Sequence, residues 1–215
     1  MTVLLEADGV NYRRGGRDLL DGLSLQVSRG QSLAVVGPSG SGKSSLLAVL
    51  AGLEPPDDGC VRLDGEPLRV GNLDQRRRLG LVLQGYGLVS LLTAAENVEV
   101  ALQSRGVIGS AARDESARAL AAVGLDDVAG SLLDKLSGGQ QQRVAVARAM
   151  VTAPDLVLAD EPTAELDHDA QDVVMSYLLA ATFRDAAVVI ATHDPQIAAR
   201  CDRTMRLHAG RLTES

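Results

Sequence analysis

Apolar and polar positions alternate in two stretches near the start of the chain, TVLLEAD at residues 2–8 and GLSLQVS at 22–28. That period of two predicts half-buried strands. SLAVVG (32–37) is continuously apolar and ends in glycine, the pattern of a strand buried on both faces in a parallel sheet. KSSLLAVLAGL then predicts a helix, GCVRLDGEPL (59–68) a hairpin turning at Asp64-Gly65, and LGLVLQ (79–84) another strand. From about Ala94 to Ala129 the pattern turns helical and alanine-rich, broken at residues 106–109 and at Gly124. Beyond it lie an amphipathic helix at 137–151, strands at 155–160 and 186–192 flanking a helix near 167–182, and a closing hairpin in TMRLHAGRL. A strand-poor block between two α/β stretches predicts an inserted helical subdomain. The expected organisation is one domain over 1–215, with a core at about 1–85 and 150–215 and a helical part at about 86–149. No internal repeat or coiled-coil heptad is visible.

Composition narrows the partners more than the fold. At 215 residues the chain suffices for one such domain, and 46% hydrophobic against 23% charged residues excludes a disordered tail. One Phe, three Tyr and no Trp leave few platforms for stacking bases. The net charge is 21 − 28 = −7, and the best basic run, Arg76-Arg77-Arg78, reads as a solvated helix face. No nucleic-acid partner is expected. Cys60 and Cys201 form no CxxC or metal-ligand spacing, which fits a reducing compartment. The N-terminal stretch lacks the basic start and apolar centre of a signal peptide. No run approaches the ~18–20 apolar residues that cross a bilayer, so a membrane-spanning part would belong to another chain.

Two small-residue turns carry the chemistry. Gly37-Pro38-Ser39-Gly40-Ser41-Gly42-Lys43-Ser44, with Ser45 following, fits G-x-x-x-x-G-K-[ST] between an expected strand and an expected helix. Its glycines let backbone wrap phosphates, Lys43 would reach the β/γ-phosphates, and the Ser44 hydroxyl would hold Mg²⁺. Of 21 basic residues only Lys43 and Lys135 are lysine, so lysine at this position looks selected. DLVLADEPT places Asp160 at a strand end, where it would support Mg²⁺, and Glu161 beside it, where it would polarise an attacking water. The alternative for this acidic pair is a helix N-terminus enriched in acids. His193 follows a third apolar strand on the edge where open α/β sheets bind ligands, so a γ-phosphate contact is expected. Gln84 stands at another strand end. The second turn, Ser137-Gly138-Gly139-Gln140, opens an amphipathic helix and offers backbone N–H groups to an anion without a lysine.

LSGGQ (136–140), with the phosphate loop, LVLADE, Gln84 and His193 in this order, resembles the ATP-binding subunit of ABC transporters over about residues 3–213. LTAAENV (92–98) and LSGGQQQRVAVARAM resemble in particular the lipoprotein-release and macrolide-export group, which includes cell-division relatives. The resemblance implies an α/β phosphate-loop NTPase core with a mainly parallel sheet, an N-terminal antiparallel β subdomain and an inserted α-helical subdomain. It implies that Tyr12 stacks on adenine, the alternative being a core-facing strand tyrosine. It implies that Gln84 senses Mg²⁺ and water and starts the segment touching a membrane partner, that the Asp167 loop crosses to another subunit, and that His193 is the switch histidine. ATP and Mg²⁺ are the implied cofactors. Ser137, Gly138, Gly139 and Gln140 would meet the γ-phosphate held by a neighbouring copy, so a head-to-tail homodimer closes on ATP beneath a separate transmembrane permease. The location implied is the cytoplasmic face of the membrane, as a peripheral subunit for export or lipoprotein release. A force-transmitting ATPase without cargo is the alternative. A soluble relative acting on DNA or translation is disfavoured by the acidic charge and the lack of a long insertion, and a small-molecule kinase by the Ser-Gly-Gly-Gln turn. Three positions depart from the group's pattern: Ser90 where proline is frequent, Glu165 in place of a small or amide residue, and LLDK without proline ahead of the second turn.

Overall fold

The computed structural model describes residues 2–85 and 87–214. Strands β1 (Val3–Arg14) and β2 (Arg17–Ser28) pair antiparallel. β3 (Ser32–Val36) leads into helix α1 (Lys43–Leu50), followed by β4 (Asp58–Leu63) and β5 (Glu66–Pro67). Then come α2 (Leu73–Arg77), β6 (Leu79–Val82), α3 (Ala94–Gln103), α4 (Gly109–Ala121) and α5 (Gly138–Met150). The chain closes with β7 (Leu156–Asp160), α6 (His168–Leu179), β8 (Ala187–Thr192), α7 (Pro195–Ala198), β9 (Arg203–His208) and β10 (Arg211–Glu214).

Two sheets form. One is four-stranded in the order β2-β1-β4-β5 and antiparallel; the other is six-stranded, β10-β9-β3-β8-β7-β6, and parallel except for β10. This is the expected fold class. β7 and β8 are buried at every position, which explains the apolar runs that precede Asp160 and Thr192 at their ends. Alternate residues face opposite sides. Leu156, Leu158, Val189 and Ala191 join the core shared with the antiparallel sheet and α1, whereas Val157, Ala159, Val188 and Ile190 join the core under α5 and α6.

β1 and β2 run well past the alternating segments read from sequence. Their extensions carry Gly9, Asn11 and several charges, and the β1–β2 ladder shifts register between Ala7 and Arg13. Bulges break the period of two that makes a strand visible. The hairpin at Asp64-Gly65 forms as expected, both residues having positive φ (57° and 79°). Arg76 and Arg77 do lie on a short helix, but Arg78 turns away to bridge Asp64 and Asp155.

The segment after Gln84 is held by one buried amide. Asn97, 1% exposed, accepts from Val89 N–H at 2.8 Å and donates from Nδ2 to the carbonyls of Val89 and Thr93. Replacing it leaves the Val89 N–H without an acceptor, while the Val89 and Thr93 carbonyls keep the backbone N–H groups of Leu92 and Asn97. Asn97→Ala is therefore expected to lower unfolding free energy by about 2 kcal/mol, read from the urea midpoint; an unchanged midpoint would show that the loop does not depend on this side chain. Among the described residues, no helix is long and apolar enough to cross a membrane.

Candidate active site

Parallel register decides which side chains meet. Val36 pairs with Thr192, Asp160 with Ala191, and Val82 with Ala159. The segments leaving β3, β8, β7 and β6 thus emerge side by side, carrying the phosphate loop, His193, Asp160-Glu161 and Gln84. These line a single cleft of about 360 Å³ with Ser39, Gly40, Lys43, Ser44, Gln142 and Glu165 among its walls.

The loop at 37–44 is shaped for close approach. Gly42, at the N-cap of α1, has φ 101°, and a Cβ there would strike the Leu19 carbonyl. A Cβ on Gly40 would point into open space, so the backbone is bare on the cleft side. Ser41 Oγ is buried without a hydrogen-bond partner among the described residues. An orphaned hydroxyl costs free energy unless a ligand or water meets it, so this loop fits an oxygen-rich anion.

Lys43 is only 7% exposed. Its Nζ donates to the carbonyls of Gly37 (2.8 Å) and Pro38 (3.3 Å) and lies 3.8 Å from Glu161 Oε1. A buried ammonium requires such partners. Glu161 is held in turn on three sides: His193 Nδ1 at 2.9 Å from Oε1, Thr192 Oγ1 donating to Oε2 at 3.3 Å, and Gln142 Nε2 donating to its carbonyl at 2.6 Å. Its backbone is left-handed, φ 47°, an unusual conformation for glutamate that its N–H bond to the Ala191 carbonyl helps to maintain. Burial pushes the Asp160 carboxyl above its ordinary pKa, and a hydrogen bond from Ser44 and the Lys43 charge oppose that rise. Asp160 and the Ser44 hydroxyl are hard oxygen donors, and Gln84 supplies an amide oxygen on the same cleft. The set suits Mg²⁺, which takes one or two carboxylates and completes its shell with phosphate and water.

Tyr12 is not part of this cleft. It is 6% exposed, belongs to the core, and donates its hydroxyl to Glu54 Oε2 at 2.7 Å. Tyr12 faces inward from β1, buried in phase with Val10 with the half-buried Asn11 between them, and its hydroxyl satisfies a carboxylate, the core-facing arrangement that stood as the alternative to stacking on adenine.

The second turn stands apart at the tip of α5. Ser137 caps the helix, Oγ accepting from Gln140 N–H at 3.2 Å while Gln140 Oε1 accepts from Ser137 N–H at 2.9 Å. This capping box uses two of the first-turn donors. The N–H groups of Gly138 and Gly139 have no acceptor among the described residues. Ser137 is exposed and the next three residues are half-buried, so the turn opens to solvent. Asp167 is also exposed and caps α6 through Ala170 N–H at 2.9 Å, a local role the sequence reading missed. Gln142, 3% exposed on the packed side of α5, was missed as well. A glutamine among Val144, Ala145 and Val146 on a buried helix face was the available signal.

The family model described as ABC transporter matches residues 20–164. The lipoprotein-releasing system ATP-binding protein LolD of Chromohalobacter salexigens is 41% identical across 99% of this chain and 94% of its own length. The ABC transporter ATP-binding protein YbbA of Escherichia coli K12 is 43% identical across 91% of this chain and 89% of its own. The macrolide export ATP-binding/permease protein MacB of Salmonella choleraesuis is 38% identical across the whole chain, which spans 35% of that longer protein. Among solved structures, the dimeric post-hydrolysis state of the ATP-binding cassette MJ0796 bound to ADP and Pi is similar with a TM-score of 0.92. It is 33% identical, over 98% of this chain and 97% of that one.

Proposed function

This chain belongs to the ABC transporter family of ATP-binding proteins and is an ATPase, and on that premise we propose that two copies close on ATP to drive a membrane permease carried by a separate chain. What supports the reading is the single cleft holding Lys43, Ser44, Asp160, Glu161, Gln84 and His193, with a second anion-ready turn at the start of α5 that does not line it. In the proposed complex, the backbone of residues 37–44 and Ser45 at the start of α1 hold the triphosphate. Ser137 to Gln140 of the other copy cover its γ-phosphate, with the Asp167 loop at the same interface. Ser44, Asp160 and Gln84 would hold Mg²⁺, which neutralises phosphate charge when bound.

The resting contacts suggest how binding prepares the cleft. Glu161 lies in the ion-pairing range of Lys43. When phosphate oxygens take over Lys43, that attraction on Glu161 weakens and its carboxylate becomes available to orient and deprotonate a water. His193 keeps one carboxylate oxygen in place through its 2.9 Å contact and is exposed enough, at 63% of its side chain, to meet the γ-phosphate. In the proposed complex the chain is one domain over 1–215 with its helical part at about 86–149, peripheral on the cytoplasmic face. Export or lipoprotein release is the process favoured by the relatives' names.

Purification of the native protein from membranes tests the partnership. A spanning protein should come with it, and the pair should hydrolyse ATP. Recovery of the chain only from the soluble fraction, with no spanning protein attached, would rule the partnership out.

A further inference from the structure

Glu165 occupies the space beside the two glycines of the second turn. It lies in the loop from β7 to α6, and its carboxylate sits against Gly138, so close that a Cβ on that glycine would collide with Oε2. The carbonyl of Glu165 and the side chain of Leu166 likewise fill the space beside Gly139. The two glycines of the second turn therefore admit a loop of their own chain. Glu165 also lines the cleft that holds Lys43, Asp160 and Glu161. One exposed carboxylate thus borders the nucleotide cleft of its own copy and the turn proposed to cover the nucleotide of the other.

We propose that Glu165 is an electrostatic brake on ATP-driven dimer closure. The inference rests on the reading that Ser137 to Gln140 cover a γ-phosphate bound by the neighbouring copy. The positive end of α5 attracts a carboxylate, and in the separated chain Glu165 supplies one beside N–H groups that lack an acceptor. A triphosphate arriving at this turn competes for the same field and meets a like charge at short range. Because the dimer is symmetric the repulsion acts at both nucleotides, and the copies carry a formal net charge of −7 each. Closure then requires more ATP than it would with a neutral side chain, so the brake keeps the two copies apart until the nucleotide is abundant.

The test compares Glu161→Gln with Glu161→Gln/Glu165→Gln and Glu161→Gln/Glu165→Ala. Sedimentation velocity gives the ATP concentration at which half of each protein is dimeric. Both Glu165 substitutions should lower that midpoint roughly fivefold or more, as expected for removing a like charge at close range. The difference should shrink as salt is raised. An unchanged or higher midpoint for Glu165→Gln overturns the proposal. So does an effect of alanine alone, which would assign the brake to bulk. Failure of Glu161→Gln itself to dimerise with ATP would remove the sandwich reading and this inference together; a normal dimer with one midpoint for all three proteins would remove only the brake.

Discussion

Glu161→Gln should lose steady-state ATP hydrolysis by roughly a hundredfold or more, the scale of a general base, and should accumulate as an ATP-bound dimer. Glutamine has the shape of glutamate and can still pair with His193 Nδ1 and Thr192 Oγ1, which hold the native side chain at 2.9 and 3.3 Å. The local fold is therefore kept. Two things change. The amide cannot take a proton from water, and Lys43 loses the carboxylate 3.8 Å away that competes with phosphate for its charge. Turnover falls while nucleotide affinity holds or rises. Size-exclusion chromatography with light scattering, with and without ATP, checks the second half. A strictly monomeric variant in saturating ATP would contradict it.

Ser137→Arg should bind ATP as a monomer yet hydrolyse it only at background. Two effects must be separated, because Ser137 Oγ also caps α5 through Gln140 N–H at 3.2 Å. Losing the cap costs about 1 kcal/mol, and Ser137→Ala carries that cost alone. Alanine should lower the urea midpoint while keeping substantial ATPase activity. Arginine should lower it similarly but abolish activity, because its bulk stands where a neighbouring copy's nucleotide must fit. Equal ATPase rates for the wild type and Ser137→Arg would place the turn outside the reaction.

The parallel core was legible because burial on both faces confines polar residues to the strand ends, as at Asp160 and Thr192. AAVVIAT could be little else than a central strand, and Ala187–Thr192 is buried throughout. The start of α5 was legible too, since the small-residue turn Ser137 to Gln140 ahead of an amphipathic stretch marked where the helix opens. What escaped were relations between distant residues. Tyr12 carries no mark in sequence of its bond to Glu54, made across 42 positions. The hold of Gln142 on the Glu161 carbonyl and the contact of Glu165 with Gly138 arise only when α5 packs beside β7. Periodicity finds faces; it does not say what lies opposite them. The departure of Glu165 from a small or amide residue was visible, but its consequence was not until the loop was seen against Gly138.

In the proposed dimer the nucleotide is shared between the phosphate loop of one copy and the second turn of another. Disulfide formation between two proteins that each carry one introduced cysteine tests it, one with Ser39→Cys and the other with Ser137→Cys, both in a Glu161→Gln background with Cys60→Ser. Cys201 can stay, since burial pushes its thiol up to about 11 and keeps it protonated. Under oxidation with ATP, the mixture should yield a cross-linked dimer that neither protein forms alone and that ADP does not support. An ATP-bound dimer that shows no such cross-link in the mixture would mean that the copies meet through other surfaces, and the account would be wrong.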